Sequence, residues 1–512
     1  MGDAVTLVLR GDDLGLAGLV RVAREAERVE LHADAIARMR ATHGVVERAL
    51  EREDAVYGLT TGVGAAKRYR VEPDEQRHFN RMMVLSCAVG QGADAPEEVV
   101  RGTLLLLVNG FARGTAGVRP ELAQRLVEAL NQGAHPRVRM LGSVGMADLI
   151  PLGDLAAELL EDFPLAPKEG LSLISSSAFS TALAALALAD YERLLDAVDA
   201  AAALDLEAFA ANLTMLHPAV AETRPYAGIA LTLDRLRALL RESGLWQRGA
   251  ARALQDPLTF RCVPQVHGAA RDTLAFAQRQ LAIELNASQE NPIVLPDEDR
   301  LISVGNSDTL PLAASLDFLR IALAPVLTSA AERLDKLLEA PFSGLPQNLA
   351  AHAGGVDIAL SELAVLAQAL TAEARLLAQP VSFEVTTSSR DQGLTDRMTM
   401  APLAARRVGQ MVELGERLVA AELVVAAQAL ELRAPAATGL GTARLHALVR
   451  ERVPFTGDGA PPPRELDGVL ELIRSGALSE LGAEPAKPQD GRVLEPAGNS
   501  LTARAAGARA RG

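Results

Sequence analysis

Apolar residues recur at three-and-four spacing through most of the chain, and Ala and Leu supply most of them. Both residues favour helix. Thr181 to Leu213 is a run of helix formers without Pro or Gly. Pro311 to Leu338, interrupted by Pro325, carries the same period, as do Asp357 to Gln379 and Leu403 to Leu432. Segments of this length exceed the usual globular helix, and several together predict an elongated central helical bundle. Strand-like alternation is confined to short pieces such as Ala4 to Leu9. The expected fold class is therefore mainly α. Pro454 to Pro463 reads as a loop and Glu465 to Ser475 as a last helix. The expected organisation is an N-terminal domain over 1–200, the long-helix bundle and C-terminal helices over 201–481, and a tail over 482–512. That tail is rich in Ala, Gly, Pro and Arg, a composition expected to stay disordered.

Gly170 to Ala189 has no charged residue, yet it carries five Ser and one Thr. A membrane span of about 20 residues should be predominantly apolar, so a helix buried in the bundle is expected and no membrane. The first ten residues lack the basic and apolar pattern of a signal peptide. A cytoplasmic protein is expected. The 51 Lys and Arg against 65 Asp and Glu give a net charge of −14 and no basic patch, which disfavours nucleic acid. Two cysteines, Cys87 and Cys262, make no disulfide framework. No metal-ligand spacing, phosphate loop or nucleotide fingerprint appears, and neither metal nor cofactor is expected.

Several Gly-punctuated polar clusters stand out. VYGLTTGVG (Val56 to Gly64) sets one of four tyrosines in a loop where glycines permit close backbone approach. LGSVGMADLIPLGDL (Leu141 to Leu155) is a turn entering a helical stretch. QDPLTFRC (Gln255 to Cys262) places Arg261 where a guanidinium could clamp a carboxylate through two bonds.

These clusters fall in one order with MVLSCAVGQG (Met83 to Gly92), RGTAGVRPEL (Arg113 to Leu122), PKEGLSLI (Pro167 to Ile174), NPIV (Asn291 to Val294), VGNS (Val304 to Ser307) and SGLP (Ser343 to Pro346). Together they resemble the histidine and phenylalanine ammonia-lyase family over roughly residues 50 to 480. The resemblance implies a long central helical bundle and a homotetramer whose active sites combine loops from three subunits. It also implies chemistry through a methylidene-imidazolone, an electrophile made when an internal Ala-Ser-Gly cyclises and loses two waters.

This sequence departs from the family there. Between GSVG and Asp148 the tripeptide is replaced by Met146-Ala147, with neither the serine nor the glycine that ring closure requires. No such group is expected to form. The family's Asn-Gly after PKEGLALI becomes Ser175-Ser176, its QDPYSLR tyrosine becomes Leu258, and the histidine of LSHAAG becomes Cys87. GNFH becomes Gly305-Asn306-Ser307-Asp308, and Leu394-Thr395 stands at a Gln-Glu pair. The resemblance assigns Tyr57 as the base for the β-proton and Arg261 as the carboxylate partner. Gln255 and Asn291 match polar site residues; Cys87, Ser175, Leu258 and Asn306 match substrate-side positions.

A phenol with an ordinary pKa of about 10 needs about 4 kcal/mol of anion stabilisation to act near neutrality. Without the electrophile, loss of ammonia from an ordinary amino acid becomes implausible. A better leaving group, or a proton made acidic by an adjacent carbonyl, restores the reaction. The expected function is an elimination, addition or isomerisation on a small carboxylate-bearing substrate, with Tyr57 as base. The alternatives are a non-catalytic ligand-binding or scaffold homologue and a conventional aromatic amino acid ammonia-lyase. Cys87 and His267 each carry two readings, a reactive group and a structural one.

Overall fold

The computed structural model describes residues 6–352, 358–383 and 390–482. Its axis is one helix, Ala178–Phe209, of 32 residues, about 48 Å long at the α-helical rise. Ala182, Ala185, Ala197, Ala200, Ala201 and Ala203 have essentially no exposure, and such small side chains let other helices approach this axial helix closely. Ala401–Arg433 runs along it, with Leu310–Leu338 packed on both and Val263–Glu284 and Ser361–Leu377 completing the bundle. The expected mainly α fold with a long central bundle is what the chain forms. Strands are limited, among the described residues, to three two-stranded ribbons. Thr6–Leu9 pairs in parallel with Arg28–Leu31, the first within the expected Ala4 to Leu9.

Two expectations need correction. Gly170 to Ala189 is not one helix: Glu169–Ile174 ends before the axial helix begins at Ala178. Ser175, Ser176 and Ser177 form the break, because Ser side chains compete with helical backbone bonds. The Ser176 hydroxyl accepts from the Ala178 N–H, and the Ser177 N–H donates to Gln289. Pro325 does not interrupt its helix, which continues from Leu310 to Leu338. Residue 200, where the N-terminal segment and the bundle were expected to meet, lies inside the axial helix. The last helix is Asp467–Arg474, within the expected Glu465 to Ser475. Of the tail expected over 482–512, all but Gly482 lies outside the described residues, as does Asp357 at the start of the Asp357 to Gln379 stretch.

Ion pairs are buried along the bundle. Arg333 lies between Asp205 (2.8 Å) and Glu422 (2.7 Å), all three side chains without exposure. Asp199 meets His267 (2.8 Å), Arg235 (3.3 Å) and Arg271. His267 is thus part of a buried charge cluster, and burial pushes its imidazole pKa down against the opposing pull of Asp199.

Candidate active site

The axial helix separates the expected site residues into two groups. At its N-terminal end lies the loop that carries Met146 and Ala147. Asp148, fully buried, organises it: the Ser143 hydroxyl donates to one carboxylate oxygen (2.6 Å), the Ser180 hydroxyl to the same oxygen (2.7 Å) and the Ser180 N–H to the other (2.7 Å). Burial raises the Asp148 carboxyl above its usual range, although these donors and the Phe179 amide pull it down. The Asp148 N–H donates to the Ser176 carbonyl at 2.7 Å. The loop is therefore stitched to the start of the axial helix.

Several backbone groups around Met146 are similarly engaged. Thr399 Oγ1 donates to the Gly145 carbonyl (2.6 Å), and the Met400 N–H donates to the Val144 carbonyl (2.9 Å). Met146 forms an isolated antiparallel bridge with Asp308. Gly145 sits at φ +79° with Thr399 Oγ1 only 2.3 Å from where a Cβ would stand, so glycine is required on two counts. Ala147 holds the left-handed region at φ +57°. From Val144 to Ala147 no side chain carries a hydroxyl. Ser143 is followed by Val144, not Gly, and its hydroxyl is committed to Asp148 and to the Gly145 N–H. These residues do not fit a backbone-derived methylidene-imidazolone.

Tyr57 lies at this same end. Its loop packs on the short Glu169–Ile174 helix: a Cβ on Gly58 would stand 2.4 Å from Leu171. The Tyr57 phenol oxygen accepts the Gly64 N–H at 2.9 Å. Ser175 is buried in the helix break. Cys87 ends the Gln76–Cys87 helix, half-buried and pressed against Gly153. Asn291 accepts the Val304 N–H at 2.9 Å, while exposed Asn306 donates to the Ser288 carbonyl at 3.2 Å. Sequence reasoning missed Lys168. Its buried ammonium donates to the Ala116 carbonyl (2.6 Å), Ser172 (2.9 Å) and Glu290 (3.3 Å), and burial pushes its pKa down. The PKEG motif held that signal in plain view.

Gln255, Leu258 and Arg261 lie at the opposite end. The Asn212 N–H donates to Asp256 (2.6 Å), and Phe260 stacks on Phe209 with ring centroids 4.1 Å apart. This segment is thereby anchored where the axial helix stops. Gln255 is exposed and Leu258 is 60% exposed. Arg261 is half-buried, and its Nε has no hydrogen-bond partner among the described residues; nor do Thr259 Oγ1 and Gln265 Oε1 nearby. Within one chain Tyr57 and Arg261 therefore lie toward opposite ends of a helix about 48 Å long.

Among the described residues no cluster of three His, Cys, Asp or Glu side chains could hold a metal ion.

Comparison with known proteins agrees with this architecture. The sequence model for aromatic amino acid lyases matches residues 14–162 and 155–451. Histidine ammonia-lyase of Alkaliphilus metalliredigens is 34% identical over 91% of this chain and 96% of its own length. That of Symbiobacterium thermophilum is 35% identical over 91% and 96%. Among solved structures, the ergothioneine-degrading enzyme ergothionase from Treponema denticola superposes with a TM-score of 0.86 at 28% identity, covering 93% of this chain and 99% of that one. Histidine ammonia-lyase from Trypanosoma cruzi gives 0.84 at 28% identity over 93% and 95%.

Proposed function

This chain belongs to the aromatic amino acid lyase family, and we propose that it catalyses a β-elimination without a methylidene-imidazolone, on a small carboxylate-bearing substrate with Tyr57 as base. The observation that carries this reading is the stretch from Val144 to Ala147, which offers no serine to dehydrate and whose backbone is tied to Thr399, Met400 and Asp308.

The leaving group follows from that loss. A primary ammonium gives up a proton more readily than it departs, and relatives of the histidine ammonia-lyase type meet that difficulty with the electrophile. A quaternary ammonium has no proton to lose. It carries its positive charge at every pH and departs as a neutral tertiary amine. In the proposed step the Tyr57 phenolate takes the β-proton, the C–H electrons form the carbon–carbon double bond, the C–N bond breaks and trimethylamine leaves. The likeness to a structure whose enzyme degrades ergothioneine, itself a trimethylammonium betaine, supports this class of substrate.

Arg261 binds the carboxylate, with Gln255 beside it. Because they lie a helix length from Tyr57, the working site takes its two halves from different chains of an oligomer, which we assign as a homotetramer. The apolar face of Leu310–Leu338, with Phe318 at 51% and Ile321 at 46% exposure, supports packing against another copy. Asn291, Asn306, Cys87 and Ser175 shape the substrate side of the Tyr57 half.

Two measurements test this. Intact mass of the purified chain should equal the encoded mass; a chain lighter by two waters overturns the proposal. Trimethylamine release from ergothioneine and from histidine trimethylbetaine should fall by about a thousandfold in Tyr57→Phe, within the range for a general base. Equal turnover by the variant overturns the assignment of the base.

A further inference from the structure

Asp308, which the family resemblance sets at the position of a histidine, sits directly beside the Met146-Ala147 loop through its backbone bridge with Met146. Each oxygen of its carboxylate already holds one hydrogen bond. One oxygen accepts the Leu310 N–H at 3.0 Å and the other accepts Arg397 Nε at 2.9 Å. The side chain remains 26% exposed. The segment is held from behind, where the Ser177 hydroxyl donates to the Ser307 carbonyl at 3.3 Å and the Asp308 N–H donates to the Gly305 carbonyl at 3.1 Å.

Such a carboxylate discriminates between two kinds of cation. A primary ammonium has three N–H donors and needs open acceptor positions. A quaternary ammonium donates nothing; it needs only a fixed negative potential that its methyl groups can approach. A carboxylate whose oxygens are each already bonded once, and whose orientation those bonds fix, has fewer open acceptor positions for a primary ammonium while keeping its charge for a quaternary one, and so favours the second over the first. We propose that Asp308 is a specificity-determining residue that holds the quaternary ammonium of the substrate over the Met146-Ala147 loop. This inference rests on the elimination reading above and names the group that orients its leaving amine.

A second carboxyl reports the field of Asp308. Glu284, whose oxygen accepts from Gln289 at 2.7 Å, has its pKa raised first by burial and further by the negative charge of Asp308. Gln289 in turn accepts from the Ser177 N–H, so the field reaches the N-terminus of the axial helix. Arg397 fixes the carboxylate from one side and reduces the local charge without removing it.

The test compares two probes bound to the intact wild-type oligomer and its variants by calorimetry. Histidine trimethylbetaine carries ring, carboxylate and quaternary ammonium; imidazolepropanoate carries ring and carboxylate alone. Asp308→Asn should weaken the betaine about tenfold, as expected for one partly screened charge contact, and leave imidazolepropanoate within about twofold. Asp308→Glu should recover part of the loss. Equal weakening of both probes marks a merely structural role and overturns the proposal, as does an unchanged betaine affinity. If wild type binds imidazolepropanoate but not the betaine, the quaternary-ammonium reading itself fails and this inference with it. If wild type binds and cleaves the betaine while Asp308→Asn behaves identically, only this inference fails.

Discussion

The two ends of the axial helix are built on opposite principles. At the N-terminal end the polar groups at Asp148 are met from within the same chain: two serine hydroxyls and the Ser180 amide serve the carboxylate, and Gln289 serves the first turn. At the C-terminal end Arg261 Nε, Thr259 Oγ1, Gln265 Oε1 and Asp256 Oδ1 are buried without partners among the described residues. Unpaired buried groups cost free energy unless something outside the chain completes them. One end is largely satisfied within the monomer; the other leaves buried groups open, as the proposed cross-chain site requires. Under the proposed roles of Tyr57 and Arg261, an assembly of several chains would bring the two ends together.

The sharpest way to break this comparison is to mix defective chains. Tyr57→Phe and Arg261→Gln homo-oligomers should each be nearly inactive. Co-expressed and purified together, they should recover about one quarter of wild-type activity, because random mixing leaves that share of cross-chain sites intact in a symmetric assembly. Steady-state turnover of the tag-selected mixed oligomer reads this directly. No recovery would mean that both residues serve a site from one chain, which a straight helix of this length does not permit.

The sequence carried these ends unequally. Helical periodicity and the Ala-rich run located the axial helix to within a few residues, since burial on all sides demands small apolar side chains. The break at Ser175 to Ser177 was hidden because the stretch carries no charge, and Ser175 and Ser177 are as buried as the helical residues on either side. Tyr57, Arg261 and the Met146-Ala147 departure could be singled out as candidates by motif order alone. Their separation could not, because it depends on where Phe260 and Asp256 dock, and no local pattern encodes that. The internal charges were also illegible: Asp199, Asp205 and Arg333 read as an ordinary polar face until the neighbouring helices cover them.

Those charges tie the two ends into one rod, and Asp199 is the tighter tie. Burial would raise its carboxyl, but Arg271, His267 and Arg235 pull it well below the usual range. A depressed carboxyl contributes stability above its unfolded pKa and loses it as pH falls through the folded value. Asp199→Asn should therefore cost about 3–5 kcal/mol near neutrality, by leaving buried cations short of their anion. Urea denaturation of variant and wild type measures it. The difference should shrink as the medium is acidified.

Asp205, six residues further toward the open end, has the opposite sign. Burial raises its carboxyl, and Glu422 raises it further, because a single arginine, Arg333, serves both. Two carboxylates around one guanidinium retain a proton more readily than they expel it. A carboxyl raised in the fold supplies its full contribution below the unfolded pKa and loses it as pH climbs toward the folded value. Wild-type stability should then decline with rising pH by about 1 kcal/mol per pH unit from this group. Asp205→Asn, neutral at every pH and nearly the same shape, should remove that decline. Urea midpoints at a series of pH values, with the same slope m for both proteins, resolve the effect. If the variant declines in parallel with wild type, the proton does not reside at the Asp205–Glu422 pair, and the C-terminal end of the rod is better satisfied within the chain than its unpaired groups indicate.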